Sequence, residues 1–146
     1  MSPYALDRAL DALAAESAAP SRIGDVDLPN ALARQGLHAR RFIGADYWLA
    51  PVRRTRLGDW RAYVLRAPAG TKIPPHRHLG QEFFQVLMGS VADDRVHGSG
   101  DFVAASAGAD HALQVGVEDS CACLIAVEHG AQWRGITRWL SPWLGI

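Results

Sequence analysis

Residues 70–89 read GTKIPPHRHLGQEFFQVLMG and set two of the chain's six histidines one residue apart, with a glutamate four positions after the second. In an extended strand, side chains two apart project to the same side, so His76 and His78 are expected to point together into whatever the strand encloses. Pro74 and Pro75 favour that extended backbone on the approach, because the pyrrolidine ring fixes φ and restricts the residue before it. Gly80 permits a bend that returns Glu82 beside the histidines at the start of the next strand-like run, EFFQVLM. Imidazole and carboxylate together suit a borderline divalent cation. Three co-facing polar groups inside an apolar barrel are costly without either a cation or a complete hydrogen-bond network.

A fourth donor stands downstream, in GDFVAASAGADHALQV. His111 follows a glycine-containing turn and shares a strand face with Leu113 and Val115, which directs it inward. The expected ligand set is therefore His76, His78, Glu82 and His111, and a polar network without metal is the alternative.

Working outward, the texture after Tyr47 is a series of short β-like runs punctuated by Gly, Pro and Asp: YWLAPV, WRAYVLRA, EFFQVLMG, DFVAAS, HALQVGV and CACLIAVEHG. Such recurrence predicts an all-β, antiparallel sandwich or small barrel. Before it, Ser2, Pro3 and the spacing Leu6, Leu10, Leu13 predict a short amphipathic helix, and residues 28–35 a second, thin-faced and peripheral one. Residues 1–46 are thus expected as a helical preface ending in a linker near 36–46, and residues 47–146 as the β-barrel domain. With 146 residues, 49% of them apolar, the chain suits one domain with a genuine core.

The spacing Gly70, His76, His78, Glu82, Gly89 resembles the first motif of the cupin superfamily without a mismatch. The second motif fits at Gly100, Gly108 and His111 and departs at Ser106, where proline is usual, and at Val115, where asparagine is usual. The order PPHRHLGQEFFQVLMGSVAD, GSGDFV, DHALQV, EDSCACLIAVE and a Trp/Leu-rich ending is similar to the cupin-like domain of ChrR-type anti-sigma factors. That resemblance implies a small jelly-roll-like cupin barrel, a zinc site on residues matching His76, His78, Glu82 and His111, and a role in sensing oxidative stress or a small ligand. Family members hold their sigma factor through an amino-terminal zinc module with a Cys-x-x-Cys pair; this sequence has no such pair, so a sigma-factor partner is expected only where that module accompanies the domain. Iron, manganese and nickel are also compatible with the donors, and a metal-dependent dioxygenase acting on a small organic molecule is the alternative function.

Fifteen basic residues balance fifteen acidic ones, so no broad field draws the chain to nucleic acid or an anionic membrane. No apolar run approaches the ~18 residues of a spanning helix, and a cytoplasmic location is expected. Cys121 and Cys123 share a strand face and are expected as reduced, packed core thiols rather than redox groups. His97 is expected at a surface turn, like His129, with His38 in the linker; Asp93 and Asp94 read as turn formers. The arginines 40, 41, 53, 54 and 56 read as a solvated face. Trp139, Trp143 and Leu144 form an apolar tail suited to core or homodimer packing.

Overall fold

A computed structural model of the chain describes residues 22–53 and 58–133. The amino-terminal helix read around Leu6, Leu10 and Leu13, the tail of Trp139, Trp143 and Leu144, and Arg54 and Arg56 lie outside the described residues. Thirteen strands are described: β1 (Arg22–Ile23), β2 (Val26–Asp27), β3 (Arg41–Phe42), β4 (Trp48–Pro51), β5 (Trp60–Ala67), β6 (Lys72–His78), β7 (Glu82–Met88), β8 (Ser90–Ala92), β9 (Val96–Gly98), β10 (Phe102–Ala105), β11 (Asp110–Val115), β12 (Cys121–Glu128) and β13 (Ala131–Trp133), with one helix, α1 (Asn30–Gln35).

Every described strand pairing is antiparallel. One sheet has the order β10-β7-β12-β5-β4-β3 and the other β13-β6-β11-β8-β9, while β1 and β2 form a separate hairpin. The inward residues of the two large sheets meet in one apolar cluster, with Leu49, Phe84, Val86 and Ile125 from the first sheet facing Ile73, Val91, Leu113 and Val115 from the second. This is the two-layer antiparallel barrel that alternating short runs dictate when one face must be buried.

The strand that carries the histidines is irregular for a reason. Across the β6–β11 pair, Ile73 lies opposite Leu113 and His76 opposite His111, so Pro74 and Pro75 are set against Ala112 alone. The extra residue makes a bulge in which prolines, having no N–H to give the ladder, are tolerated inside a paired strand. It also shifts the alternation, so that Ile73, His76 and His78 all face inward and all are buried.

Gly80 then carries the chain from one sheet to the other. A Cβ there would lie 2.6 Å from the Glu128 carbonyl oxygen, so only glycine lets this turn pack against β12. The passage is held by Leu79 N–H donating to Gly130 O at 3.2 Å and by Glu128 N–H donating to Gln81 O at 2.9 Å.

The preface is more than a linker and a peripheral helix. Residues 36–46 contribute the Leu37–Val52 bridge and β3, which extends the first sheet. The β1–β2 hairpin and α1 lie on the outer face of that sheet, where Val26, Leu28 and Leu32 form a second buried cluster with Trp48, Ala50, Val64 and Ala122. Arg66, on the same outer face, donates from Nε and Nη2 to the two Asp25 carboxylate oxygens at 2.8 and 2.7 Å, and from Nη1 to the Asp46 carbonyl at 2.7 Å. A buried guanidinium fork thus pins the preface to the barrel. Beyond the cover, Trp60, Phe83 and Phe102 stack in sequence with ring centroids 5.6 and 5.7 Å apart.

Candidate metal centre

β6, β7 and β11 deliver the four side chains to one end of the barrel. His76 sits in a cross-strand row between His111 on β11 and Trp133 on β13, each opposite it in register. Its ring centroid lies 4.5 Å from each of theirs. Glu82, first residue of β7, reaches across from the facing sheet. The potential ligand atoms of His76, His78, Glu82 and His111 all lie within 4.8 Å of one another. His76, His78 and Glu82 are buried, and the His111 side chain is 15% exposed.

Hydrogen bonding decides what this cluster can hold. His76 Nδ1 lies 3.0 Å from the Pro74 carbonyl, an acceptor only, so it carries the proton and a neutral His76 presents a bare Nε2. His111 Nε2 approaches both His76 Nε2, at 2.9 Å, and His78 Nε2, at 2.8 Å. If His111 donates to His76, it has no lone pair left for His78, so three neutral imidazoles cannot satisfy both contacts. The buried Nδ1 of His78 also has no hydrogen-bond partner, and Glu82 Oε2 stands 3.5 Å from it. Glu82 Oε1 is 3.7 Å from His111 Nε2.

Burial lowers the pKa of all three histidines, with neighbouring imidazoles adding to the effect for His78, which falls to about 4. The same burial raises Glu82 to about 8. Left to itself the cluster is three neutral bases and a protonated acid packed closer than their hydrogen bonds allow. A divalent cation removes the conflict by accepting the converging lone pairs and favouring the carboxylate form. The residues fit such an ion, and the His76 bond to Pro74 O would orient a ligand imidazole.

Beside the cluster the barrel holds a partly open cavity of about 250 Å³, reached by His76 and Glu82 at one end and walled mainly by aliphatic side chains of both sheets. Sequence reading does not anticipate it, because a void depends on how facing layers mesh. Cys121 and Cys123 line it with Sγ atoms 3.7 Å apart, both buried. The hydrogen bond to Cys121 and burial push the Cys123 thiol up, which keeps it protonated.

The remaining histidines separate. His129 is half exposed, with Nδ1 3.2 Å from Asp59, and His38 is exposed. His97 is not at a surface turn: it is 5% exposed, with Nε2 3.0 Å from Asp93 Oδ1 and its ring edge-on to Phe84. The turn aspartate supplies the partner that lets this imidazole enter the barrel wall, and Asp93 also accepts from Arg95 N–H at 3.1 Å. Only the turn-forming half of that arrangement was legible from residue types. Among the described residues, no helix is long and apolar enough to cross a membrane.

Residues 47–131 match the profile of the family described as the ChrR cupin-like domain. Among solved structures, the Rhodobacter sphaeroides complex of SigE with the anti-sigma ChrR is similar at 25% identity and a TM-score of 0.59, over 85% of this chain and 77% of that one. An RmlC-like cupin protein from Ralstonia eutropha aligns at 20% identity and a TM-score of 0.60, over 70% of this chain and 68% of its own. A cupin-like protein from Thermotoga maritima aligns at 13% identity and a TM-score of 0.56, over 73% and 93% respectively. Among curated proteins no sequence matches the chain.

Proposed function

Since the chain belongs to the ChrR cupin-like domain family, we propose that it is a regulatory metal-binding domain, with His76, His78, Glu82 and His111 as the ligands of one divalent ion. Zinc is the ion of choice, because three imidazoles and a carboxylate complete a tetrahedron without redox chemistry. The observation that carries the reading is the convergence of the four donors within 4.8 Å around an unsatisfiable hydrogen-bond pattern. In this reading an oxidant or small ligand reaching the cavity alters the coordination, and the barrel changes its contacts with a partner. The SigE–ChrR likeness supports a sigma factor as that partner, held through a zinc module additional to the barrel. Self-association is part of the proposal, with the exposed Phe102 edge of the aromatic stack as its surface.

Elemental analysis of protein purified without added metal tests the reading. About one zinc per chain is expected, falling to a small fraction in His76→Ala. Zinc-free protein, or equal zinc in the variant, would overturn it.

A second reading, a metal-dependent dioxygenase for a small organic molecule, is favoured by the cavity beside His76 and Glu82. Chemistry at a metal needs coordination positions open to substrate. Oxygen uptake by iron-loaded protein over a panel of diketones and phenols would establish it; silence across that panel leaves the regulatory reading.

A further inference from the structure

The cavity has a chemistry of its own. Its described wall is mainly aliphatic and aromatic; of its ionisable members Glu82 belongs to the ligand cluster and Lys72 is exposed at the rim. Interiors are packed nearly without gaps, so a space of about 250 Å³ in a core this size, open at its rim, is a place for a guest rather than a packing remainder.

The apolar wall is interrupted by an indole, that of Trp133, and by two tyrosines, Tyr47 and Tyr63. Trp133 Nε1 is buried and has no hydrogen-bond partner. Tyr63, 8% exposed, lines the cavity from the opposite sheet. Burial and the nearby Glu82 raise the tyrosine pKa, so the hydroxyl stays a donor. The two thiols are paired with each other and His76 is committed to the ligand cluster. A buried donor without a partner, as Trp133 Nε1 is, is costly, and a guest that accepts from it recovers the loss.

We propose that the cavity binds an uncharged, mostly hydrocarbon carbonyl compound that accepts hydrogen bonds from Tyr63 and Trp133. A carboxylate guest would lose its hydration against a wall whose one cationic side chain is in solvent. A plain hydrocarbon would fill the space and leave the Trp133 donor bare. The inference rests on the regulatory reading in one respect: it names the class of small ligand that reading requires.

Three probes of similar shape separate the outcomes: acetophenone, ethylbenzene and benzoate, titrated calorimetrically into the protein as purified, with its metal content measured alongside. Acetophenone is expected to bind most tightly and benzoate not at all. Tyr63→Phe, which keeps the ring, should weaken acetophenone about fivefold and leave ethylbenzene unchanged; Trp133→Phe, which also removes part of the indole, should weaken acetophenone about fivefold more than it weakens ethylbenzene. Equal acetophenone affinity in wild type and both variants, tighter binding of benzoate, or no acetophenone binding at all would overturn the proposal. Tyr63-dependent binding by metal-free protein would uphold it while the metal reading fails. One metal per chain with no acetophenone binding would do the reverse.

Discussion

The two faces of the six-stranded sheet meet opposite problems. Its inner face ends in Glu82, which joins three imidazoles whose mutual contacts cannot all be hydrogen bonds. Its outer face is covered by the preface, where Leu32, Val26 and Trp48 pack in an apolar cluster and the buried guanidinium of Arg66 is bonded to the Asp25 carboxylate and the Asp46 carbonyl. The comparison teaches that this protein satisfies polar groups where they serve packing and leaves them unsatisfied where they gather around a would-be ion. A polar cluster that folding alone could have completed, and did not, marks function.

Removing metal should produce the largest effect and confine it to the inner face. An ion present at about 1,000 times its dissociation constant stabilises a fold by about 4 kcal/mol, so chelation should lower the melting temperature by on the order of 10 °C, measured by calorimetry. A chelator-insensitive melting curve would erase the contrast between the faces.

Next in size, Leu32→Ala opens the outer cluster, where the side chain is 6% exposed, and should cost about 2–4 kcal/mol in denaturant unfolding. Its metal content should stay that of wild type. A loss of metal in this variant would show that the two faces are coupled.

The third test uses pH on metal-free protein. Histidine pKa values lowered from 6.5 mean that the unfolded chain binds more protons below that pH, so stability rises with pH up to about 6.5. Above that pH the unfolded histidines shed their remaining protons and Glu82 comes to dominate the four: its folded pKa is raised from 4.5, the folded state keeps a proton that the unfolded state has lost, and stability falls towards about pH 8. The decline should be less than about 1 kcal/mol in unfolding free energy. It should vanish when metal is bound or in Glu82→Gln, and a flat apo profile would remove the electrostatic half of the comparison.

A similarly small effect belongs to the Asp25–Arg66 pair. Asp25→Asn should destabilise by no more than about 1 kcal/mol, since the aspartate side chain is 49% exposed and solvent screens the pair. The Arg66 hydrogen bond holds the Asp25 carboxyl below its usual 3.8. The wild-type advantage is therefore full above that value, is lost as pH falls through the folded pKa, and the two unfolding curves should converge in acid.

How much of this was legible follows from how local each cause is. WRAYVLRA reads as a strand and is one, Trp60–Ala67, because alternation on a half-buried sheet is a property of neighbouring residues. The His76, His78, Glu82 spacing is equally local, and His111 enters through the face it shares with Leu113. The bulge at Pro74 and Pro75 was not foreseen, although two prolines in a paired strand are the signal that could have announced it. The role of the preface was invisible because its anchor joins residues 41 apart in sequence, and its single hairpin is too short to show alternation. His97 misled because its burial depends on Asp93 and Phe84 together, each unremarkable alone. The cavity leaves no trace in residue pattern at all.

X-ray absorption at the metal edge of protein purified without added metal tests the central claim most directly. The account predicts one zinc per chain surrounded by three imidazole nitrogens and one carboxylate oxygen at about 2.0–2.2 Å, with no sulfur. Scattering from sulfur at about 2.3 Å, which would assign the ion to Cys121 and Cys123, or a first shell made of water oxygens alone, would contradict it.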